Sequence, residues 1–385
     1  MQHSAPDGLS SLAREPPFDA QTTNEFEMTD ESGSQEQYLL CSDCFFDEGL
    51  RIDAWKHGTE HQSECPNCKS TEGRKLTKEH VLSIAHRFFV SGTTIRFDYG
   101  AAPRVQCNES HYGRSDVSPS PWLRGDMKLL EDAGKIGFFH YGPRFWMFGE
   151  IEPLKALQEP ATRPLIIERV LKEYPERKLA KNELFYRVRV NPLQPAAPSE
   201  YDSPPSHIAG KGRLDSVGFA VMYGSQDIDV CIHECRATAE DDMYVATLWP
   251  VQDLRLLDLA AVLKEDVTEF ESLDLAVHML FLAKSHSYEI SRDIAIAARG
   301  AGFDGVIYPS YFSLLRTGGS PFETAHGLSL RRFHPQAENY AKAFTIPNFA
   351  LFGRPIEEGR VKVKCINRMI LTQIGYLGHF GPVAY

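Results

Sequence analysis

Two short cysteine pairs, Cys41-Ser-Asp-Cys44 and Cys65-Pro-Asn-Cys68, stand twenty residues apart in this 385-residue chain. Knuckles of that form bring four thiolates onto one tetrahedral ion at about 2.3 Å. A closed set of four leaves no position for water, so the pattern predicts structural zinc on Cys41, Cys44, Cys65 and Cys68 and no catalytic metal. His57 and His61, between the knuckles, are the alternative ligands. A second set of candidates occupies the C-terminal half. Arg213, Tyr223 and Glu234 follow at intervals of ten and eleven residues, and Ser310 stands just past the strand-like run Gly305 to Tyr308. A guanidinium matches phosphate oxygens with a fixed fork of donors. A tyrosine ring stacks on flat groups, and a carboxylate steadies positive charge. Tyr223, ending an apolar run before Gly224, would keep its hydroxyl free to bond; each residue also has an ordinary reading: a loop arginine, a buried core tyrosine, a surface or capping glutamate, a turn-forming serine. On a helix, Glu234 shares a face with Val230, Cys231 and Ala237, where a solvated glutamate is unusual. The run Cys231-Ile-His-Glu-Cys235 and the histidines His278 and His286 are weaker candidates for metal and base chemistry.

The elements that must position these groups read as α+β. Residues 1–37 hold eight acidic residues and no apolar period, which predicts a disordered tail. A zinc-ribbon-like module is expected over 38–75, followed by a mixed helical and strand region over 76–180. Within it, Thr77 caps a helix carrying Val81, Ile84, Ala85, Phe88 and Phe89, and a second helix ends at Gly134 before aromatic strands from Phe138 to Phe148. The last domain is expected over 181–385. Its strand-like runs at 184–190, 219–223, 244–248, 254–259, 305–308, 349–352 and 361–366 are interrupted by helices near 229–240, 271–284 and 289–299. No glycine-rich phosphate loop follows a strand, which disfavours a doubly wound nucleotide fold. With 42% hydrophobic residues the chain can bury two or three cores. A net charge of −11 argues against general nucleic-acid or membrane affinity. No apolar run is long enough to cross a bilayer and no signal peptide opens the chain, so a cytoplasmic location is expected.

Three further stretches carry a family resemblance. GRLDSVGFAVMYGSQDIDVCIHECR from Gly212, GFDGVIYPSYFS with Ser310, and PNFALFG with Asn348 and Phe352 resemble, in order, the signature segments of RES-domain proteins. The paired C-x-x-C module followed by HRFFVSG resembles the N-terminal extension of larger members. The resemblance implies a fold like that of ADP-ribosyltransferases and the toxin half of a toxin–antitoxin pair. It implies NAD+ as substrate, cleaved by hydrolysis or phosphorolysis, with Arg213, Tyr223, Glu234 and Ser310 as catalytic and NAD-binding residues. Protein ADP-ribosylation and non-catalytic dinucleotide sensing are the competing readings. Implied partners are NAD+ and an antitoxin, immunity or regulatory protein; a homo-oligomer is left open. Asp215 stands where the family commonly has asparagine, placing a negative charge beside a site for an anionic dinucleotide. Asn348 reads as structural.

Overall fold

In the computed structural model, the cysteine-rich segment is a helix held between two knuckles and not a ribbon of long strands. The structure describes residues 37–385 except 141–150, 206, 208, 211, 311, 313–345, 373–377 and 379. The disordered tail expected over 1–37 therefore lies outside the described residues up to Gln37. Strand β1 (Leu40–Cys41) pairs antiparallel with β2 (Lys75–Leu76), with Cys41 opposite Lys75. Helix α1 (Glu48–His57) fills the interval. It starts where the Asp47 carboxylate accepts the Leu50 amide at 3.0 Å, and its last turn carries Lys56 and His57, both arrangements that suit the helix dipole.

Helix α2 (Lys78–Ala85) begins at the expected Thr77 cap. Its apolar face meets Leu40, Phe45, Leu50 and Leu76 in a core shared with Leu123, Leu130 and Phe138. A hairpin of β3 (Ile95–Phe97) and β4 (Gly100–Ala102) follows, then β5 (Val105–Asn108), α3 (Arg124–Gly134) and β6 (Gly137–His140), which pairs with β5. The aromatic run expected beyond His140 lies outside the described residues. Buried Asp126 of α3 accepts the amides of Phe46 and Asp47 at 2.9 and 2.7 Å, tying α3 to the start of α1.

Helices α4 (Glu152–Gln158) and α5 (Arg163–Glu173) lead into one eight-stranded sheet. Its strands are β7 (Glu176–Leu179), β8 (Phe185–Val190), β9 (Val221–Ser225), β10 (Met243–Pro250), β11 (Leu254–Asp258), β12 (Gly305–Pro309), β13 (Pro347–Phe352) and β14 (Val361–Met369). The order is β14-β10-β8-β9-β13-β12-β11-β7, and among these neighbours β11 and β12 run parallel. Between them the chain passes through α7 (Leu273–Leu282) and α8 (Tyr288–Gly300), while α6 (Ile228–Cys235) follows β9. The period-2 alternation explains both faces. Val221, Leu257, Val306, Ala350 and Phe352 meet the helices α5, α7 and α8, whereas Met222, Leu256, Ile307, Phe349 and Leu351 form a separate core on the other face.

This is the mixed helix and sheet architecture the sequence suggested, with three differences. Helix α6 stops at Cys235 and not near 240, because Arg236 turns left-handed (φ 51°) and Asp241 gathers the Thr238 amide and hydroxyl into a turn. Strand β7, sequence ERKL, escaped sequence reading because it is an outer strand whose first three residues are exposed. The helix α1 escaped because its buried face is Gly49, Leu50, Asp53 and Ala54, too mixed to show a period. The two halves meet where Ile151 and Leu154 pack on Leu275, Ala276 and Met279 of α7. The chain's last residues return to the cysteine-rich part, so closely that a Cβ on Gly49 would stand 2.8 Å from Phe380.

Lys75 is fully buried, and its ammonium donates to the carbonyls of Ser70, Thr71, Glu72 and Gly73 at 3.3, 3.1, 2.6 and 3.0 Å. Four dipoles take the place of its hydration shell and shape the turn after Cys68. Lys75→Met keeps the stem and strips the carbonyls of their donor. We expect a loss of about 2–3 kcal/mol, read by urea denaturation; an unchanged midpoint would contradict this role.

Candidate functional site

Strand register assembles the C-terminal candidates. Strand β13 lies between β9 and β12, pairing Asn348 with Ser225 on one side and with Tyr308 on the other. The Ser225 hydroxyl donates to the Pro347 carbonyl at 3.0 Å and accepts the Asp227 amide at 3.2 Å. Asp227 in turn caps α6 by accepting the Val230 amide at 2.9 Å. This turn aims α6 so that Glu234, near its end, reaches β13 and the exit of β12. One oxygen of Glu234, Oε1, accepts from the Ser310 hydroxyl and from Asn348 Nδ2, both at 2.7 Å. Ser310 and Asn348 are buried, whereas Glu234 is an exposed residue. The expected placement of Glu234 on the helix's apolar face is thus corrected: Val230 and Cys231 take that face, and Glu234 leans out to two fixed donors. The Ser310 hydroxyl also accepts the Phe312 amide at 3.1 Å, which points its hydrogen at Glu234.

Asn348, read from the sequence as structural, is held within the candidate site. Its amide shares the carboxylate with Ser310, and only its pairing with Tyr308 and Ser225 reveals this.

From Glu234 an aromatic run leads to Arg213. The Tyr308 ring meets Tyr223 edge-on (6.5 Å, 87°) and stacks on Phe281 (5.3 Å, 21°), and the Arg213 guanidinium lies 5.7 Å from the Phe281 ring and 4.8 Å from that of Tyr288. Burial pushes the Tyr308 phenol far above its ordinary range; the Glu234 charge adds to the shift and the Arg213 charge opposes it. Arg213 Nη1 and Nη2 donate to the carbonyls of Leu280 and Ala283, at 3.1 and 3.0 Å, at the C-terminal end of α7, where carbonyls lack the full helical ladder.

The Tyr223 hydroxyl is not free, as its sequence context suggested. It donates to Asp215 Oδ1 at 2.8 Å and accepts the Leu214 amide at 2.9 Å, so both are internal bonds of the fold. Asp215 is buried, and its second oxygen accepts the Gly210 amide. Both of its oxygens are thus engaged by groups of the same stretch of chain, Gly210 and Tyr223. Beneath, buried Arg187 donates to the Tyr223 carbonyl at 2.5 Å and the Asp202 carbonyl at 3.3 Å. Burial, with Arg189 nearby, pushes it down to about 9, so it stays charged at neutral pH.

The other constellations separate. The thiols of Cys231 and Cys235 point at the β8 carbonyls of Tyr186 and Val188, away from His233, whose ring stacks on Phe312. His286 packs edge-on against Tyr99. By contrast, Cys41, Cys44, Cys65 and Cys68 place their sulfurs within 4.8 Å of one another, with neighbours at 3.4, 3.6 and 3.7 Å. Tetrahedral thiolates at the bond length of zinc stand about 3.8 Å apart, while a disulfide would bring a pair to about 2.05 Å. The set fits a metal ion, and it is the one such group found among the described residues. Asn67 Nδ2 donates to the Cys44 sulfur at 3.4 Å. His57 and His61 are turned elsewhere, their Nδ1 atoms on the Asp53 carbonyl and the Ser63 hydroxyl.

Residues 184–339 match the family model of the RES domain, the segment that holds Arg213, Tyr223, Glu234 and Ser310. The family resemblance is therefore borne out there, and Asn348 lies beyond the matched segment. No curated protein matches the sequence. Among solved structures, the chain is similar to one in the crystal structure of the M. tuberculosis MbcT–MbcA toxin–antitoxin complex. The identity is 14%, the alignment covers 53% of this chain and 91% of that one, and the TM-score is 0.31.

The phenols give a pH test. Burial raises Tyr223 and Tyr308 above the ordinary value of about 10. Below that pH both phenols are neutral folded or unfolded, so their ionisation adds no pH dependence to stability. Above it the unfolded chain ionises while the fold holds both protons, so stability falls as pH rises toward the folded values. Absorbance titration should show both tyrosinates appearing only with unfolding, and Tyr223→Phe should lower stability by about 1–2 kcal/mol at neutral pH. Free titration of all fifteen tyrosines near pH 10 in folded protein would contradict the burial.

Proposed function

Proceeding from the RES match over 184–339, we propose that this chain cleaves NAD+ at the nicotinamide–ribose bond, as a glycohydrolase or phosphorylase. The observation that carries the reading is the Glu234 carboxylate, held through Oε1 by Ser310 and Asn348 at the end of an aromatic run that leads to Arg213.

Cleavage of this bond passes through a ribosyl cation with oxocarbenium character. The bond from C1′ to the pyridinium nitrogen breaks, both electrons leave with nicotinamide, and water or phosphate supplies the new bond to C1′. A carboxylate fixed before the charge develops stabilises that cation without reorganising. With Oε1 already engaged, Oε2 is the oxygen for the sugar. Arg213 keeps donors beyond its two carbonyl bonds and would hold the diphosphate, and the Tyr223 ring would stack on the nicotinamide. The Asp215 charge, which had favoured a non-catalytic sensor, is committed to Tyr223 and Gly210, so catalysis is the stronger reading.

In this reading residues 181–385 form a RES domain of the ADP-ribosyltransferase-like kind. Residues 38–75 carry one structural zinc ion, which contributes no reactive step, and 76–180 join the two. The protein acts in the cytoplasm as a growth-inhibiting toxin or defence effector, and an antitoxin or immunity protein restrains it. Protein ADP-ribosylation shares the first bond cleavage and differs in the acceptor.

Purified protein incubated with NAD+ should release nicotinamide, with ADP-ribose or its 1″-phosphate identifying the acceptor. Glu234→Gln should lower the rate about 10²–10³-fold at unchanged melting temperature. Label transferred to a protein would move the reading to ADP-ribosylation; NAD+ bound but intact would make the chain a sensor. Metal analysis should find about one zinc per chain, lost together with module stability in a Cys41→Ser, Cys44→Ser double variant, and a folded metal-free protein would exclude the zinc assignment.

A further inference from the structure

Arg213 can hold an anion only if its backbone is fixed, yet Gly210, Gly212 and Arg213 belong to neither a helix nor a strand. What fixes them is the start of α8. Arg292 donates through a single nitrogen, Nη2, to the carbonyls of Gly210 and Gly212 at 2.9 and 2.8 Å. The neighbouring Ser291 hydroxyl donates to the carbonyl of Arg213 itself at 2.8 Å and contacts the Tyr288 carbonyl at 3.2 Å. Three carbonyls of a four-residue segment are thereby bound to two adjacent side chains of one helix. Gly210 sits at φ 118°, a conformation open to glycine, which lets its carbonyl turn toward Arg292 while its amide turns to Asp215.

We infer that Arg292 and Ser291 are positioning residues for the anion-binding arginine, setting the height and direction of Arg213 over the aromatic run. The inference rests on the NAD+ reading of the site and adds to it. Tyr288 is the shared platform: the Arg213 guanidinium lies 4.8 Å from its ring and that of Arg292 5.9 Å. The head of Arg213 is meanwhile held by α7 through Leu280 and Ala283. The arm thus spans two helices, with its backbone sewn to α8 and its guanidinium resting on the end of α7. Arg292 pays for this position in unmet bonding, since its Nε is buried without a partner among the described residues. A guanidinium there serves the loop carbonyls, and its charge adds to the positive field an anionic diphosphate would meet.

The test uses the full chain with Arg292→Gln, Arg292→Lys and Ser291→Ala, with ADP-ribose as the probe in calorimetry, NAD+ in kinetics, and hydrogen exchange over residues 209–216. Arg292→Gln should raise KM and the ADP-ribose Kd about tenfold with kcat much less affected, and speed exchange in that segment by a similar factor. Arg292→Lys, which restores a donor and the charge, should recover part of both, and Ser291→Ala should weaken binding about threefold. Glu234→Gln should show the reverse split, losing kcat while keeping ADP-ribose affinity. If Arg292→Gln fails to fold, the Ser291→Ala and Arg292→Lys variants decide by the same readings. Wild-type affinity, KM and exchange in folded variants would overturn the inference. If wild-type protein neither binds ADP-ribose nor cleaves NAD+, the NAD+ reading fails, and exchange over 209–216 still decides whether Arg292 and Ser291 position the loop.

Discussion

The pairing of β13 between β9 and β12 is the constraint on which the candidate site depends. One register places Asn348 beside both Ser225 and Tyr308. From Ser225 the turn into α6 is fixed, and from Tyr308 the chain runs two residues to Ser310. A slip of one residue would send Asn348 to the opposite face and part it from Glu234. The apolar alternation of β13 opposes such a slip, because Phe349 and Leu351 fill one core while Ala350 and Phe352 fill the other. Packing on both faces of the sheet thus sets the hydrogen-bond geometry at its edge of chemistry.

Around that frame, polar side chains are used as fasteners. Arg187 holds the Tyr223 carbonyl, Asp215 holds its hydroxyl, and buried Arg163 joins the Leu157 carbonyl to Glu289 and Asp293 of α8. Each is a buried or half-buried group whose desolvation is offset by specific partners, so each favours one arrangement of its loop or helix over others. Lys75 does the same for the turn after Cys68. The cysteine module, with its sulfurs set at the spacing of a tetrahedral ion, then holds a segment whose own apolar content is small.

Much of this was legible in the sequence, and the reasons for the rest are specific. The two C-x-x-C pairs carried their own geometry in their spacing. The strands of the large sheet were legible because their apolar residues run unbroken where both faces are covered, as in Val306-Ile307-Tyr308. The family match covers the segment of Arg213, Tyr223, Glu234 and Ser310 and leaves their roles to be assigned from geometry. The Asn348 contact with Glu234 and the Arg292 contacts were not legible for a physical reason: the partners are 114 and about 80 residues away, and strand register or helix docking creates the contact. The partners of Asp215 and of the Tyr223 hydroxyl were not legible because a local sequence does not show which way a loop folds its polar groups inward. The β7 strand was lost to its charged outer position.

The central claim is that Glu234, fixed by Ser310 and Asn348, faces the nicotinamide ribose while Arg213 takes the diphosphate. The most direct measurement is a crystal structure of the Glu234→Gln protein soaked with NAD+. The account predicts C1′ of that ribose in van der Waals contact with the side chain at 234, the nicotinamide against Tyr223, and the diphosphate on Arg213. NAD+ bound with its nicotinamide ribose away from residue 234, or excluded from this pocket while occupying another, would contradict it.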